Sequence, residues 1–356
     1  MDKFFKNKSI ALFIGGRSPE HEVSIESAKT VYPILQKLFN KVYVIGVSKN
    51  GVFYIQNLLH STHISHNYQI KDTILEKDEI SFYPSKGIFL HEDKIDIDLA
   101  FILIHGNEGE DGKLQGLLDI MNIKYCGVNA TSSGLCMYKE LASSILESKG
   151  IKTVKSIVLR KGDTIYPLSY YIEKLGNHLF IKSETTGSSI GVTSLKFATQ
   201  ELLDKAIEKA FKYSERVLIQ PLMEDIQEME VAILELENNK LIAGGPGLVV
   251  KSNMMEILSY DKKYGQVDSA YIDPFIIKDE KLKLKLQEMA KLIFKTLNLS
   301  GFSRIDFFYK DKQIYFNEVN TIPGLTSKSH YPVLINSLDI TLEEAIYEIC
   351  RRAYGR

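Results

Sequence analysis

The sequence predicts an α/β and α+β chain of two or three domains, opening with a small parallel sheet. Ile10-Ala-Leu-Phe-Ile14 is an apolar strand that ends in Gly15-Gly16 and passes into a helical period through Ala28, Val31, Ile34, Leu35 and Leu38. Lys41 to Val47 is strand-like again, so the chain begins β-α-β. Far downstream, Gly301 to Asn320 has two aromatic and β-branched halves around Lys310-Asp311-Lys312, the pattern of a β-hairpin. With 356 residues, 44% of them hydrophobic, the chain has enough apolar surface for more than one core.

Composition excludes several classes of function. A formal net charge of −1 and the lack of a basic run argue against nucleic acid or an anionic membrane as the main partner. Cys126, Cys136 and Cys350 are odd in number and scattered, so they read as small buried hydrophobes in a reducing compartment. Lys3, Lys6 and Lys8 precede the first apolar run as in a signal peptide, but that run is short and lacks a small-residue cleavage site. Nothing approaches the roughly 20 apolar residues that a membrane helix needs. A cytoplasmic protein is expected.

Taken in order, the first strand leads to Gly15-Gly16-Arg17-Ser18-Pro19-Glu20-His21-Glu22-Val23-Ser24. This is a glycine turn into a helix, which suits a ligand at the strand's carboxyl end; it is not a dinucleotide fingerprint, and the chain has no P-loop. Glu20 by itself complements a helix dipole. A polar stretch from Asn57 to Asp98 precedes a buried strand, Leu99 to Ile104, ending at His105-Gly106-Asn107-Glu108-Gly109-Glu110-Asp111-Gly112. His105 is either a hydrogen-bonded structural histidine or a ligand contact at that strand end. A helix from Thr131 to Lys149 carries Lys139, and strands are expected at Thr153–Leu159 and His178–Lys182.

Between Lys182 and Val192, Ser183 to Gly191 includes Ser188 and Ser189 and is polar and flexible. It is either an ordinary hairpin loop or a cover whose N–H groups meet phosphates while Lys139 and Lys182 neutralise charge. Arg216–Ile219 and Glu228–Glu235 read as strands, Tyr260 to Gly265 as a mobile loop, and Asp279–Leu297 and Leu342–Arg352 as helices.

The hairpin carries the densest chemistry. Strand alternation puts Arg304 and Asp306 on one face and Glu318 and Asn320 on one face. With the turn centred on Asp311, Glu318 would lie opposite Arg304 and diagonal to Asp306. Two carboxylates and an amide oxygen suit Mg²⁺, and Glu318 is placed to bridge two such ions; the alternative is a solvated face of paired charges. Pro323-Gly324 then turns the chain, and Thr326-Ser327-Lys328-Ser329 offers hydroxyls, N–H groups and an ammonium to an anion.

Residues 15–24, 105–112, 182–192, 304–306 and 317–326 together resemble the D-alanine:D-alanine ligases of the ATP-grasp superfamily, in order over nearly the whole chain. The resemblance implies a three-domain ATP-grasp architecture: residues 1–130 binding substrate, 131–214 carrying the phosphate-covering loop, and 215–356 carrying the metal-binding hairpin. It implies that Asp306, Glu318 and Asn320 hold two Mg²⁺ or Mn²⁺ ions, with room for a monovalent cation, and that Lys139, Lys182 and Ser189 meet the ATP phosphates. Gln220, Leu222 and Met223 would line the adenine slot and Glu228 would take the ribose. Glu20 would face the first D-alanine's ammonium with His105 nearby, while Arg304 and the Gly324 N–H would stabilise an oxyanion. Lys263, Ser327 and Ser329 would meet the second D-alanine's carboxylate, and Ser188 and Tyr264 would link the two loops to Glu20.

The implied activity is ATP-dependent synthesis of D-alanyl-D-alanine through D-alanyl phosphate for peptidoglycan precursors, in a homodimer. D-lactate or D-serine is the alternative acceptor. Two departures stand out: Gln220 replaces the family's usual glutamate, and the Tyr260-Asp261-Lys262-Lys263-Tyr264 loop is about two residues short.

Overall fold

A computed structural model describes residues 4–60, 63–65, 67–187, 190–250 and 270–355. The first part contains β1 (Ser9–Gly15), α1 (His21–Leu38), β2 (Lys41–Val47) and β3 (Phe53–Ile55). β1 and β2 are parallel, as a β-α-β unit requires. The stretch with no clear period folds as short antiparallel pieces: β4 (Leu58–His60) with β5 (His63–Ile64), then a meander of β6 (Ile80–Tyr83), β7 (Gly87–Leu90) and β8 (Asp93–Ile95). β9 (Leu99–Ile102) returns to pair parallel with β1, giving the order β3-β2-β1-β9. Because β1 is buried at every position and central, the segments following β1 and β9 leave the same sheet edge side by side.

After α2 (Lys113–Ile120), the single helix expected over 131–149 is two, α3 (Ala130–Met137) and α4 (Lys139–Glu147). Asn129 caps α3 by accepting from the Ser132 N–H, and Tyr138 at φ −86°, ψ 88° interrupts the helical path. Lys139 therefore begins a helix instead of riding in the middle of one.

The second sheet joins β10 (Ile157–Arg160), β11 (Leu179–Ser183), β12 (Thr193–Leu195) and β13 (Arg216–Pro221) in the order β10-β13-β11-β12, all antiparallel. α5 (Leu168–Leu175) and α6 (Gln200–Phe211) cover it through Tyr171, Leu203 and Ile207. β10 starts later than Thr153, which instead bridges to Phe316. β13 belongs to this sheet, so a division at 214/215 would cut it from its partners; the sheet ends at Pro221.

The third part comprises β14 (Gln227–Glu235), β15 (Leu241–Val250), β16 (Tyr271–Asp273), α7 (Glu280–Thr296), β17 (Phe302–Lys310), β18 (Gln313–Asn320), α8 (His330–Asn336) and α9 (Leu342–Tyr354). Its sheet runs β16-β15-β14-β17-β18. Asp279 caps α7 through the Lys281 and Leu282 N–H groups, and Thr341 with Glu344 forms a capping box on α9. β15 is unmarked in the sequence because Gly244-Gly245-Pro246-Gly247 imitates a turn. The glycines serve packing: a methyl group at Gly244 would lie 2.4 Å from the Leu334 carbonyl oxygen, so α8 rests directly on the strand backbone.

α9 does not pack with its own sheet alone. Ile346, Ile349 and Cys350 share a core with Val31 and Leu35 of α1 and with Leu99 and Phe101 of the first part. Cys126 and Cys350 meet there with sulfurs 3.8 Å apart, and all three cysteines are buried free thiols. Among the described residues no helix is long and apolar enough to cross a membrane.

The seating of α8 on β15 is open to test. Gly244→Ala forces the helix off the strand and should lower stability by about 2 kcal/mol, seen as a lower urea midpoint with unchanged slope. An unshifted midpoint would show that the close approach carries no constraint.

Candidate functional site

The β17–β18 hairpin closes through Asp311 and Lys312, both at positive φ, with Lys310 opposite Gln313. The same register pairs Phe307 with Phe316, but between that pair and the next the register slips by one residue. Asn317 is the extra residue. Beyond it Asp306 faces Glu318 and Arg304 faces Asn320, so Glu318 lies opposite Asp306 instead of opposite Arg304 as expected. Without the bulge Asp306 would face Asn317 and Arg304 would face Val319, leaving Glu318 and Asn320 on the other side of the sheet.

On the shared face Arg304 grips Asp306 with both arms of its fork, Nε to Oδ1 and Nη2 to Oδ2, each at 2.8 Å. Asn320 Nδ2 donates to the same Oδ2 at 3.0 Å. Glu230, one strand over on β14, forms an ion pair with Arg304, its Oε2 2.9 Å from Nε, and accepts from His330 Nδ1 at 2.8 Å. Burial pushes the Asp306 carboxyl up to about 6; Arg304 opposes this, while Glu230 and Glu318 add to it. Burial works against the Arg304 charge, yet Asp306 and Glu230 outweigh it and hold the guanidinium charged.

Cations face this cluster from the second part. Lys139 Nζ lies 3.6 Å from Glu318 Oε2 and donates to the carbonyls of Glu184 and Thr186 at 3.2 and 3.0 Å. Glu184, fully buried, accepts from Arg216 and from the Glu140 N–H at 3.1 Å, so the root of the 183–191 segment is fixed to the start of α4. Lys182, beside Lys139, has its ammonium pushed down to about 8 by burial and then by Lys139, with Glu318 and Glu184 acting the other way.

The first part closes the third side. Glu20 precedes α1, its backbone N–H donating to Ser18 Oγ at 3.1 Å, and Ser18 Oγ donates to the His105 carbonyl at 2.7 Å. A methyl group at Gly106 would stand 3.1 Å from Glu20 Oε2, and one at Gly187 would stand 3.4 Å from it. Glu20 thus lies between the His105 segment and the segment that follows Ser183, and both approach it through glycines. His105 is buried and held neutral by burial, and its Nδ1–H donates to the Ile322 carbonyl at 3.0 Å. Glu110, which the sequence reading left without a role, is pushed up to about 8 by burial and then by Glu20, while Lys139 favours its charged form.

Gly324 follows. A methyl group there would come within 2.8 Å of Ser329 Oγ, so only glycine fits without displacing that hydroxyl. Ser329 Oγ accepts from the Thr326 N–H at 3.1 Å and lies 2.7 Å from Thr326 Oγ1; Ser327 is exposed.

At the far edge, Gln220 is buried on β13, paired with Phe180, and its Nε2 donates to Ser156 Oγ at 2.7 Å. That bond turns the amide oxygen toward an acceptor's role. Leu222 N–H donates to the His178 carbonyl at 2.9 Å, Met223 follows, and Glu228 opens β14. Ser188, Ser189, Lys263 and Tyr264 lie outside the described residues.

Two carboxylates and an amide make a hard oxygen set, and the Asp306 and Glu318 oxygens keep lone pairs that the hydrogen bonds above do not use. A divalent cation would offset both the burial that raises Asp306 and the crowding by Glu230 and Glu318 that adds to it, so these residues fit one. Glu230 and His330 were missed in the sequence. Glu230 alternates with Glu228 along β14, and an acid inside an apolar strand is the signal that would have found it.

The chain matches the family model of the D-ala D-ala ligase N-terminus over residues 9–128 and that of the D-ala D-ala ligase C-terminus over residues 145–351. A D-alanine–D-alanine ligase of Finegoldia magna is 36% identical over 327 residues, covering 92% of this chain and 90% of the relative. The solved VanG D-Ala:D-Ser ligase of Enterococcus faecalis superposes with TM-score 0.83 at 31% identity, covering 98% of this chain and 100% of that one. The D-alanine–D-alanine ligase structure of Coxiella burnetii gives TM-score 0.82 at 27% identity, covering 99% and 95%.

Lys182 makes the electrostatics testable. Its lowered value leaves much of it neutral above pH 8, and a polyphosphate against it restores the charged form, so binding there must take up protons. Calorimetric titration with a non-hydrolysable ATP analogue at pH 8.5, in buffers of different ionisation enthalpy, should show proton uptake that Lys182→Met abolishes. Equal heats in all buffers would remove Lys182 from the phosphate site.

Proposed function

The chain belongs to the D-alanine–D-alanine ligase family, and from that premise we propose how its residues join two D-alanines through D-alanyl phosphate. One observation carries the reading: the bulged face bearing Arg304, Asp306, Glu318 and Asn320 meets Lys139 on one side and the Glu20–His105 edge on the other. Three parts of the chain converge on one acid-rich, lysine-lined cleft.

ATP lies between the second and third sheets. Gln220 accepts from the adenine amino group through the oxygen that Ser156 leaves free, Leu222 and Met223 wall the base, and Glu228 takes the ribose hydroxyls. Asp306, Glu318 and Asn320 would hold two Mg²⁺ or Mn²⁺ ions, which would supply positive charge to the ATP phosphates. Lys139 and Lys182 add positive charge, with Ser188 and Ser189 in the covering loop.

Glu20 pairs with the first D-alanine's ammonium and orients its carboxylate. A carboxylate oxygen attacks the γ-phosphorus, the β–γ bridging P–O bond breaks, and ADP and D-alanyl phosphate result. The amine of the second D-alanine, held at its carboxylate by Ser329, Ser327 and Lys263, then attacks the carbonyl carbon. Arg304 and the Gly324 N–H stabilise the tetrahedral oxyanion, and phosphate leaves with one former carboxylate oxygen. The family resemblance gives Tyr264 and Ser188, which lie outside the described residues, the part of shielding the intermediate from water. The proposal includes a cytoplasmic homodimer making peptidoglycan precursors, divided at about residues 130 and 221. The likeness to a D-Ala:D-Ser ligase makes D-serine the rival acceptor, with D-lactate beside it.

An amino-acid panel with ATP and Mg²⁺ tests the reading: ADP release should require D-alanine, and the product mass should be D-alanyl-D-alanine. D-alanine labelled with ¹⁸O in its carboxylate should pass one labelled oxygen to inorganic phosphate. Unlabelled phosphate beside labelled dipeptide would rule out the acyl phosphate, and a D-serine product would move the acceptor.

Glu318→Gln keeps the shape and removes a charge from the metal face. Its turnover should fall by about 10³-fold or more, at about 1.4 kcal/mol per tenfold, with the fold intact by circular dichroism. Near-normal turnover would place the metals elsewhere.

A further inference from the structure

The turn that carries Gly324 is held at both ends by side chains from the other end of the chain. Ile322 and Leu325 flank Pro323-Gly324, and both are buried. The Ile322 carbonyl accepts the His105 Nδ1–H at 3.0 Å. With Nδ1 protonated in a neutral ring, His105 Nε2 is an acceptor, and Ser27 Oγ lies 3.4 Å from it. The Leu325 N–H in turn points at Ser27 Oγ, 3.5 Å away. The donors run in one direction, from Leu325 N–H to Ser27, from Ser27 O–H to His105, and from His105 N–H to Ile322.

In many four-residue turns the first carbonyl takes the fourth N–H directly. Here the two groups are bridged through Ser27 of α1 and His105 after β9. Ser27 is fully buried and lies outside the substrate-contacting set. Thr326 and Ser329 fix the residues that follow, so the Gly324 N–H has little freedom except through this bridge.

We propose that Ser27 and His105 are positioning residues that hold the Ile322–Leu325 turn so that the Gly324 N–H faces the oxyanion of the ligation step. The inference rests on the reading that Gly324 serves that oxyanion. It assigns His105 its main work through the Ile322 carbonyl instead of through the first D-alanine, and it gives Ser27 a role.

The test separates the two chemical steps. Formation of the acyl phosphate is read by positional isotope exchange, in which ¹⁸O moves between the β–γ bridge and the β-nonbridging positions of ATP while D-alanine is reversibly phosphorylated. Ligation is read by dipeptide release. Displacing one oxyanion donor should lower ligation relative to exchange about tenfold in His105→Phe. His105→Gln, which keeps an N–H donor, should recover part of the loss. Ser27→Ala should lower the same ratio about threefold with the KM for ATP unchanged, a milder loss because its contacts are long.

If His105 instead binds the first D-alanine, exchange and ligation fall together and the ratio holds, which overturns the proposal. An unchanged ratio in Ser27→Ala also overturns it, whether or not His105→Phe folds. Absence of exchange and of dipeptide in the unmutated protein would sink the ligase reading itself, a distinct outcome.

Discussion

One extra residue, Asn317, decides whether this protein has a site. The hairpin turn sets a register in which Asp306 and Glu318 would point to opposite faces of the sheet, and the bulge turns the far half of β18 over. The site depends on that inversion for the approach of Glu318 and its partner Lys139 to the Arg304–Asp306 pair, and for the placing of Asn320 against Asp306. A bulge costs a ladder position and twists the strand locally. Here it gives the sheet a polar patch on one face, next to the turn into Gly324, while Phe307 and Phe316 on the opposite face fill the core.

The buried charge around that face is arranged in tiers. Arg216 with Glu184 and Arg304 with Asp306 and Glu230 are closed sets that fix backbone positions, and removing one member would strand another in a poor solvent for ions. Lys139, Lys182 and Glu318 form an open set beside them, in which burial, and then Lys139, depresses the Lys182 ammonium. A site that takes a highly charged nucleotide must keep such groups near each other without letting them neutralise completely. The closed sets hold the open ones in place.

Most of the fold was legible where local pattern and tertiary structure agree. The parallel β1-α1-β2 unit follows from a glycine turn and a helical period, α7 from its Asp279 cap and apolar stripe, and the hairpin from its two β-branched halves. The failures have specific causes. β15 was invisible because its glycines are selected by the close approach of α8 and not by local conformation. The break at Tyr138 lies in a stretch whose helical period runs through it. The register was misjudged because a bulge leaves no mark in a two-residue period. The candidate site was legible as a set of residue types at strand ends, since acids and glycines there have few structural uses. Ser27, Glu110 and Glu230 were not, because a buried polar residue inside a helix, a loop or a strand resembles its neighbours until its partners from distant sequence are seen.

The last helix shares its core with the first. Ile346, Ile349 and Cys350 share a core with Val31, Leu35 and Phe101, so one face of the opening sheet is completed by residues made long after it. Until α9 is made the β1-α1-β2 unit therefore exposes the apolar patch that α9 will cover, and even Cys126, well beyond that unit, is 224 residues from its neighbour Cys350. Transiently exposed apolar surface of this kind favours association between unfinished chains. Folding of the opening sheet is thereby tied to that of the third part: a chain truncated before α9 leaves Val31, Leu35 and Phe101 without part of their apolar cover.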